Sequence, residues 1–111
     1  MYENLRDTAS YRSWWPGTEA TDDGLRLRLG RRTVDSRPDG HRDGIGLWLP
    51  LPAFDGSLEW LLDPFDDGTI VHAFLDLELP GGPGRARRRL LRFRASVRRA
   101  LVGLKRSMES R

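Results

Sequence analysis

Residues 69–108 read TIVHAFLDLELPGGPGRARRRLLRFRASVRRALVGLKRSM, and the spacing of their apolar side chains changes partway along. Over residues 69–79 apolar side chains occupy every second position, which is typical of a β-strand with one buried face. From Arg85 onward they recur every three or four residues, which predicts one amphipathic helix over residues 85–108. Two prolines and three glycines in Pro80–Gly84 separate the two patterns. A strand followed by a long helix is therefore expected at this end of the chain.

The preceding part of the chain predicts a short helix and several strands. Residues 2–13 have helical spacing that ends at Trp14-Trp15-Pro16, because the residue before a proline avoids the helical region. Strands are expected at residues 25–29, 45–51 and 58–62, with hairpin connections at residues 35–40 and 63–68. Pro50 and Pro52 indicate that the second of these strands ends at a sheet edge or a bulge. This order predicts a single α+β domain over residues 1–111, in which the C-terminal helix covers an antiparallel sheet.

Composition sets broad limits on the function. The 111 residues are 38% hydrophobic and 32% charged, which suits one globular domain with a packed core. The absence of cysteine excludes a disulfide framework, a thiolate zinc site and a cysteine nucleophile. Neither a membrane-spanning apolar run nor a secretory signal pattern occurs, so a cytoplasmic location is expected.

The N-terminal motif carries a resemblance to a known family. The pattern Tyr2-x-x-Leu5-x-Asp7-x-x-x-Tyr11-x-x-Trp14-Trp15-Pro16-Gly17 resembles the end of the first helical region in the START and polyketide cyclase/dehydrase superfamily. That resemblance implies a helix-grip fold, in which a curved antiparallel sheet wraps around the long C-terminal helix. An apolar cavity between them would take a lipid, sterol or polyketide. Members of the superfamily begin with a strand that would precede Met1, so this chain is expected to lack the first strand of the fold.

The resemblance implies a ligand pocket walled by aromatic residues on one side and by the helix on the other. The candidate pocket residues are Trp14, Trp15, Trp48, Trp60, Phe74, Leu90, Val97, Leu101 and Leu104. Trp14 and Trp15 have an equally good alternative interpretation as core residues beneath the first helix, because apolar pockets and cores use the same residue types. Which face of the strands lines the cavity stays open at this point.

An enzyme of the polyketide cyclase or dehydratase type is the alternative to a binding protein. His72 shares a strand face with Asp76 and Glu78, so it is a weak candidate for proton transfer. Solvated positions on an outer sheet face explain these three residues better. No cofactor is expected, and His41 with His72 lacks a third ligand for a metal site.

Charge is distributed unevenly along the chain. Residues 85–111 carry a net charge of +10, whereas residues 1–84 carry −7. The arginine-rich helix could meet an anionic membrane surface, but its basic face lacks aromatic residues for base stacking, which argues against nucleic acid. A solvated helix face balanced by acidic strands is the simplest interpretation, and Gly103 is expected on that face without a core contact. The oligomeric state is left open.

Overall fold

The alternating leucines at residues 25–29 form a strand as predicted. The computed structural model describes residues 5–41, 46–66 and 68–109. Its first sheet has three antiparallel strands in the order β1 (Glu19–Ala20), β2 (Leu25–Leu29) and β3 (Arg32–Ser36). The three leucines of β2 are fully buried and the two arginines between them are exposed. Gly30, with a φ of +62°, closes the tight turn between β2 and β3, a conformation that glycine adopts without strain.

The connection at residues 35–40 corrects the sequence-based expectation. Asp35 and Ser36 end β3, and Asp39 begins β4 in the other sheet, so the segment between them is a crossing between sheets rather than a hairpin. The hairpin partner of β2 is β3, whose turn lies at Gly30 and Arg31. The prediction was wrong because Pro38 interrupts a strand in the same way whether the chain turns back or moves to a second sheet.

The second sheet has four antiparallel strands. Their order is β4 (Asp39–His41), β5 (Gly46–Leu51), β6 (Gly56–Phe65) and β7 (Gly68–Asp76), with a 3₁₀ turn at Pro52–Phe54 between β5 and β6. Leu47, Trp60 and Ala73 are paired across β5, β6 and β7, and they lie on the face that packs into the core. Pro50 lies beyond the last pair between β4 and β5, at a local edge as predicted.

Two boundaries differ from the predicted ones. The hairpin expected over residues 63–68 is much tighter, because β6 extends to Phe65, which already pairs with Gly68. The following strand was predicted to reach residue 79, but β7 ends at Asp76. Propensity places a strand more reliably than it places its ends.

Short helical segments near the N-terminus and one long C-terminal helix complete the α+β architecture of the described residues. The helix predicted over residues 2–13 is found in part, as a 3₁₀ turn at Thr8–Ser10 that runs into α1 (Tyr11–Trp14); residues 1–4 lie outside the described ranges. The long C-terminal helix α2 (Pro83–Glu109) confirms the helix expected over residues 85–108. Proline suits the first position of a helix because its missing N–H has no partner there.

Gly103 of α2 was expected on the solvent side without a core contact, and this was wrong. A β-carbon at Gly103 would collide with the backbone carbonyl oxygen of Trp14. The helix therefore crosses α1 with its backbone so close that only glycine fits at this point. The core of the molecule lies where these two helices meet the inner faces of both sheets.

Candidate functional site

Four aromatic rings pack together beneath the two helices. Tyr11, Trp14, Trp15 and Trp60 are each no more than 3% exposed. The ring centroids of Trp14 and Trp15 lie 6.0 and 5.9 Å from that of Trp60, both in edge-to-face contact. Such aromatic pairs contribute beyond the area that they bury. We call these four residues the aromatic core.

Polar atoms fix the aromatic core in position. The Trp15 indole Nε1 donates a hydrogen bond to the backbone carbonyl of Arg28, 2.9 Å away. The Tyr11 hydroxyl donates to the backbone carbonyl of Leu5. Burial raises the pKa of Tyr11 well above its usual value, because the phenolate would lose its hydration; the neighbouring Trp60 side chain opposes this effect only in part. Trp14, Trp15 and Trp60, which were all candidate pocket residues, therefore occupy the space between the helices and the sheet as packed core.

Trp48 and Phe74 lie on the other face of the second sheet. Trp48 pairs with Glu59, which pairs in turn with Phe74, so the three side chains share the outer face. Trp48 is 42% and Phe74 is 51% exposed. Because side chains alternate along a strand, neither can reach the side covered by α2. The structure does not bring these two candidates together with the others.

The candidate residues of α2 divide into two groups. Val97 and Leu104 are buried in the core, whereas Leu90 and Leu101 are only half-buried. Half-buried apolar side chains also line the inner face of β7, next to α2. We call this set the β7–α2 seam, and its members are Val71, Ala73, Leu75, Leu101 and Met108. The seam is the part of the interface between sheet and helix that the protein's own side chains leave incompletely covered.

His72 does not face the seam. It lies on the outer face of β7, where its ring stacks on Phe74 and its Nε2 atom is 3.6 Å from the Asp63 carboxylate. Asp76 and Glu78 are exposed as well. The seam itself contains no titratable side chain. In the described part of the chain, no three histidine or acidic residues come close enough together to hold a metal ion.

A second feature is a cluster of arginines at the N-terminal half of α2. A surface cleft of about 820 Å³ is lined by five arginines: Arg32, Arg85, Arg88, Arg89 and Arg92. The Arg32 guanidinium lies 5.1 Å from the centre of the Phe54 ring, and that of Arg89 lies 5.8 Å from the centre of Phe93. These cation–π contacts hold the charged groups at the surface without neutralising them.

The arginine–carboxylate ion pairs of the described residues lie elsewhere. They join Arg26 to Glu19 and Asp35, and Arg37 to Asp23, all in the first sheet and its loops. Over residues 5–41, 46–66 and 68–109, no arginine of α2 is within ion-pair distance of a carboxylate. Sequence reasoning missed the contribution of Arg32, because it reaches the cluster through the β2–β3 turn and no local pattern signals that contact. The positive charge of these arginines is thus available to an external anion.

Comparisons with protein-family models, with curated proteins and with solved structures found no match to this chain. None of the described helices combines the length and the apolarity that crossing a bilayer requires.

Proposed function

We propose that the chain binds an apolar small molecule, lipid-like or polyketide-like, along the β7–α2 seam. The observation that carries this proposal is the half-buried state of apolar side chains on both sides of the seam. Side chains in a close-packed core have almost no contact with water, whereas the seam side chains keep part of their apolar surface exposed. Ligand sites are mostly apolar, so this remaining surface is suited to an apolar ligand. The two sheets with the long helix α2 are compatible with the helix-grip arrangement that the N-terminal motif implies.

The energetics favour a ligand that lies along the seam rather than deep in the protein. Trp14, Trp15 and Trp60 fill the neighbouring space with rings that contact one another. A ligand would therefore cover Val71, Ala73 and Leu75 on one side and Leu101 on the other. Each 100 Å² of apolar surface removed from water contributes about 2.5 kcal/mol. Shape and apolar area would determine affinity, since the seam offers no charged group.

Binding is favoured over cyclase or dehydratase chemistry by the position of His72. Proton transfer requires a titratable group within hydrogen-bond reach of the bound substrate. His72 points away from α2 and pairs with Asp63 on the outer face of the sheet. Substitution of His72 by alanine should leave the affinity for an apolar ligand unchanged.

The test uses N-phenyl-1-naphthylamine, an uncharged probe whose fluorescence increases in apolar sites and which the arginines do not attract. Ala73→Phe adds a ring to the middle of the seam and should weaken probe binding about tenfold, or ~1.4 kcal/mol. Phe74→Ala removes a ring from the other face of the same strand and serves as the matched control. Its affinity should stay at the wild-type value.

Thermal unfolding of both variants establishes that they are folded. Equal binding by Ala73→Phe and by the wild type would show that the probe lies elsewhere, and absence of binding to the wild type would exclude the seam as a ligand site. Native mass spectrometry of protein purified from cells adds a direct observation, because a bound lipid-sized molecule should disappear on denaturation and be reduced in Ala73→Phe.

A further inference from the structure

The outward face of α2 carries an apolar stripe. Leu91 is 53% exposed and Val102 is 45% exposed, and they are among the few large apolar side chains with that much exposure in the described ranges. They are eleven residues apart, which is about three helical turns, so they lie on the same face about 16 Å from each other. Ala95 lies between them on the same face and is exposed too. The helix therefore presents apolar side chains on the side opposite the core.

Cationic side chains border this stripe on both sides. At 100° per residue, one row runs along the edge nearer the seam and the other along the edge nearer the β2–β3 turn. The first row consists of Arg87, Arg94, Arg98 and Lys105. The second row consists of Arg85, Arg88, Arg92, Arg99 and Arg106. All nine are exposed, and Arg32 extends the second row through the cleft it shares with Arg85, Arg88 and Arg92.

We propose that this outward face of α2 docks on the surface of an anionic lipid bilayer, with Leu91 and Val102 inserted between headgroups and the two arginine rows against lipid phosphates. An apolar stripe between cationic rows is the arrangement of helices that lie in the plane of a membrane interface. Basic residues near an anionic bilayer are attracted to it, and salt weakens that attraction. The arginines form no ion pair with the described carboxylates, so they keep their charge for the lipid.

The apolar stripe favours a bilayer over a nucleic acid. Leu91 and Val102 lie at the centre of the contact surface. A bilayer interface gives them an apolar environment, whereas a nucleic-acid backbone would place charged phosphates against them. The stripe and its borders contain no aromatic residue on which bases could stack. The acidic remainder of the chain would also repel a long polyanion.

This inference goes beyond ligand binding at the seam and does not depend on it. The seam occupies one flank of α2, and the membrane-facing stripe lies roughly 100° around the same helix, beyond the first cationic row. The seam is tested with a soluble probe in the absence of vesicles, so either proposal can fail while the other holds.

The experiment measures cosedimentation of the full chain with sucrose-loaded vesicles. Vesicles of phosphatidylcholine with one-third phosphatidylglycerol should bind the wild type, and pure phosphatidylcholine should not. Leu91→Asn with Val102→Asn, and separately Arg88→Gln with Arg98→Gln, should each weaken binding about tenfold or more. The matched control, Arg6→Gln with Arg37→Gln, removes the same charge from exposed positions outside α2 and should bind like the wild type.

The outcomes separate the sources of binding. High salt should release the wild type, and the salt dependence should become shallower only in the arginine variant. Equal binding to both vesicle compositions would overturn the proposal. So would retention on a DNA duplex that depends on Arg88 and Arg98 but not on Leu91 and Val102, since that pattern identifies a nucleic-acid contact. All substituted positions are exposed, so each variant should fold like the wild type. Far-UV circular dichroism checks this.

Discussion

Gly103 illustrates how a single residue can be misjudged from local propensity. Alanine is favoured over glycine inside a helix by about 1 kcal/mol, so Gly103→Ala would ordinarily stabilise the protein. Here the added methyl group would strike the carbonyl oxygen of Trp14, a backbone atom that cannot rotate away. We therefore expect Gly103→Ala to lower the free energy of unfolding by about 1–3 kcal/mol, the usual cost of overpacking.

Gly84 supplies the control within the same helix. It has open space around the position of a β-carbon, so Gly84→Ala should leave the free energy of unfolding unchanged or raise it by less than about 1 kcal/mol. Chemical denaturation of both variants measures the difference. If Gly103→Ala proves as stable as Gly84→Ala, α2 does not approach α1 as closely as described.

At the scale of elements, a partly buried hydrogen bond ties α2 to the first sheet. Ser96 is buried on α2, and its Oγ atom accepts a hydrogen bond of 2.7 Å from the backbone N–H of Gly30, in the β2–β3 turn. Ser96→Ala would leave that N–H without a partner. An unsatisfied buried donor costs about 1–3 kcal/mol, and because Gly30 is only half-buried we expect a loss of stability at the lower end of this range.

Ser13→Ala is the matched serine control, because the Ser13 hydroxyl donates to the Ser10 carbonyl within the same local segment and is exposed. Its effect on thermal unfolding should be small. Hydrogen exchange gives a second readout, since the Gly30 amide should lose protection in Ser96→Ala while the amides of β6 keep theirs. Unchanged exchange at Gly30 would contradict the assigned bond.

Elements with a strong local period were predictable from the sequence, and contacts between elements were not. β2 and α2 follow their periods of two and 3.6. The crossing near Pro38 was missed, because turn chemistry does not distinguish a hairpin from a change of sheet. The contacts of Gly103 with Trp14 and of Ser96 with Gly30 join residues far apart in the chain, and no local signal indicates them.

The candidate site was predictable only in part, for a related reason. Trp48 and Phe74 alternate with the leucine faces of their strands, and the apolar stripe of α2 packs against those faces. The alternation therefore predicts that both aromatic side chains lie on the outer face of the sheet. The sequence could not assign the other three tryptophans, because large aromatic residues suit a pocket and a core equally well. Only the ring contacts among Trp14, Trp15 and Trp60 identify them as core residues. Leu91 and Val102 could be recognised as an exposed pair only after the structure showed which face of α2 packs against the core.

At the scale of the whole molecule, the arginines of α2 and its exposed apolar residues Leu91 and Val102 lie on the same side of the core. The arginine–carboxylate pairs lie in the first sheet and its loops, whereas the arginines of α2 have no carboxylate within ion-pair distance among the described residues. A membrane on the α2 side would therefore meet cations first, and the second sheet, whose β6 and β7 carry carboxylates but no arginine or lysine, would face away from it. In that orientation the seam would lie close to the lipid surface. An apolar ligand could then pass from the bilayer to the seam across only a short distance of water.

The four tryptophans provide a test of this whole arrangement, because three are buried around the junction of both helices and the second sheet while Trp48 is exposed. Trp48→Phe should remove nearly all of the tryptophan emission that acrylamide quenches in the native protein. The remaining emission should be blue-shifted, and its change on unfolding should coincide with the loss of far-UV circular dichroism, as in a single cooperative transition. A large quenchable fraction remaining in Trp48→Phe would mean that Trp14, Trp15 or Trp60 borders an open, hydrated space. In that case the ligand cavity would lie among the aromatic rings and the seam would be its rim.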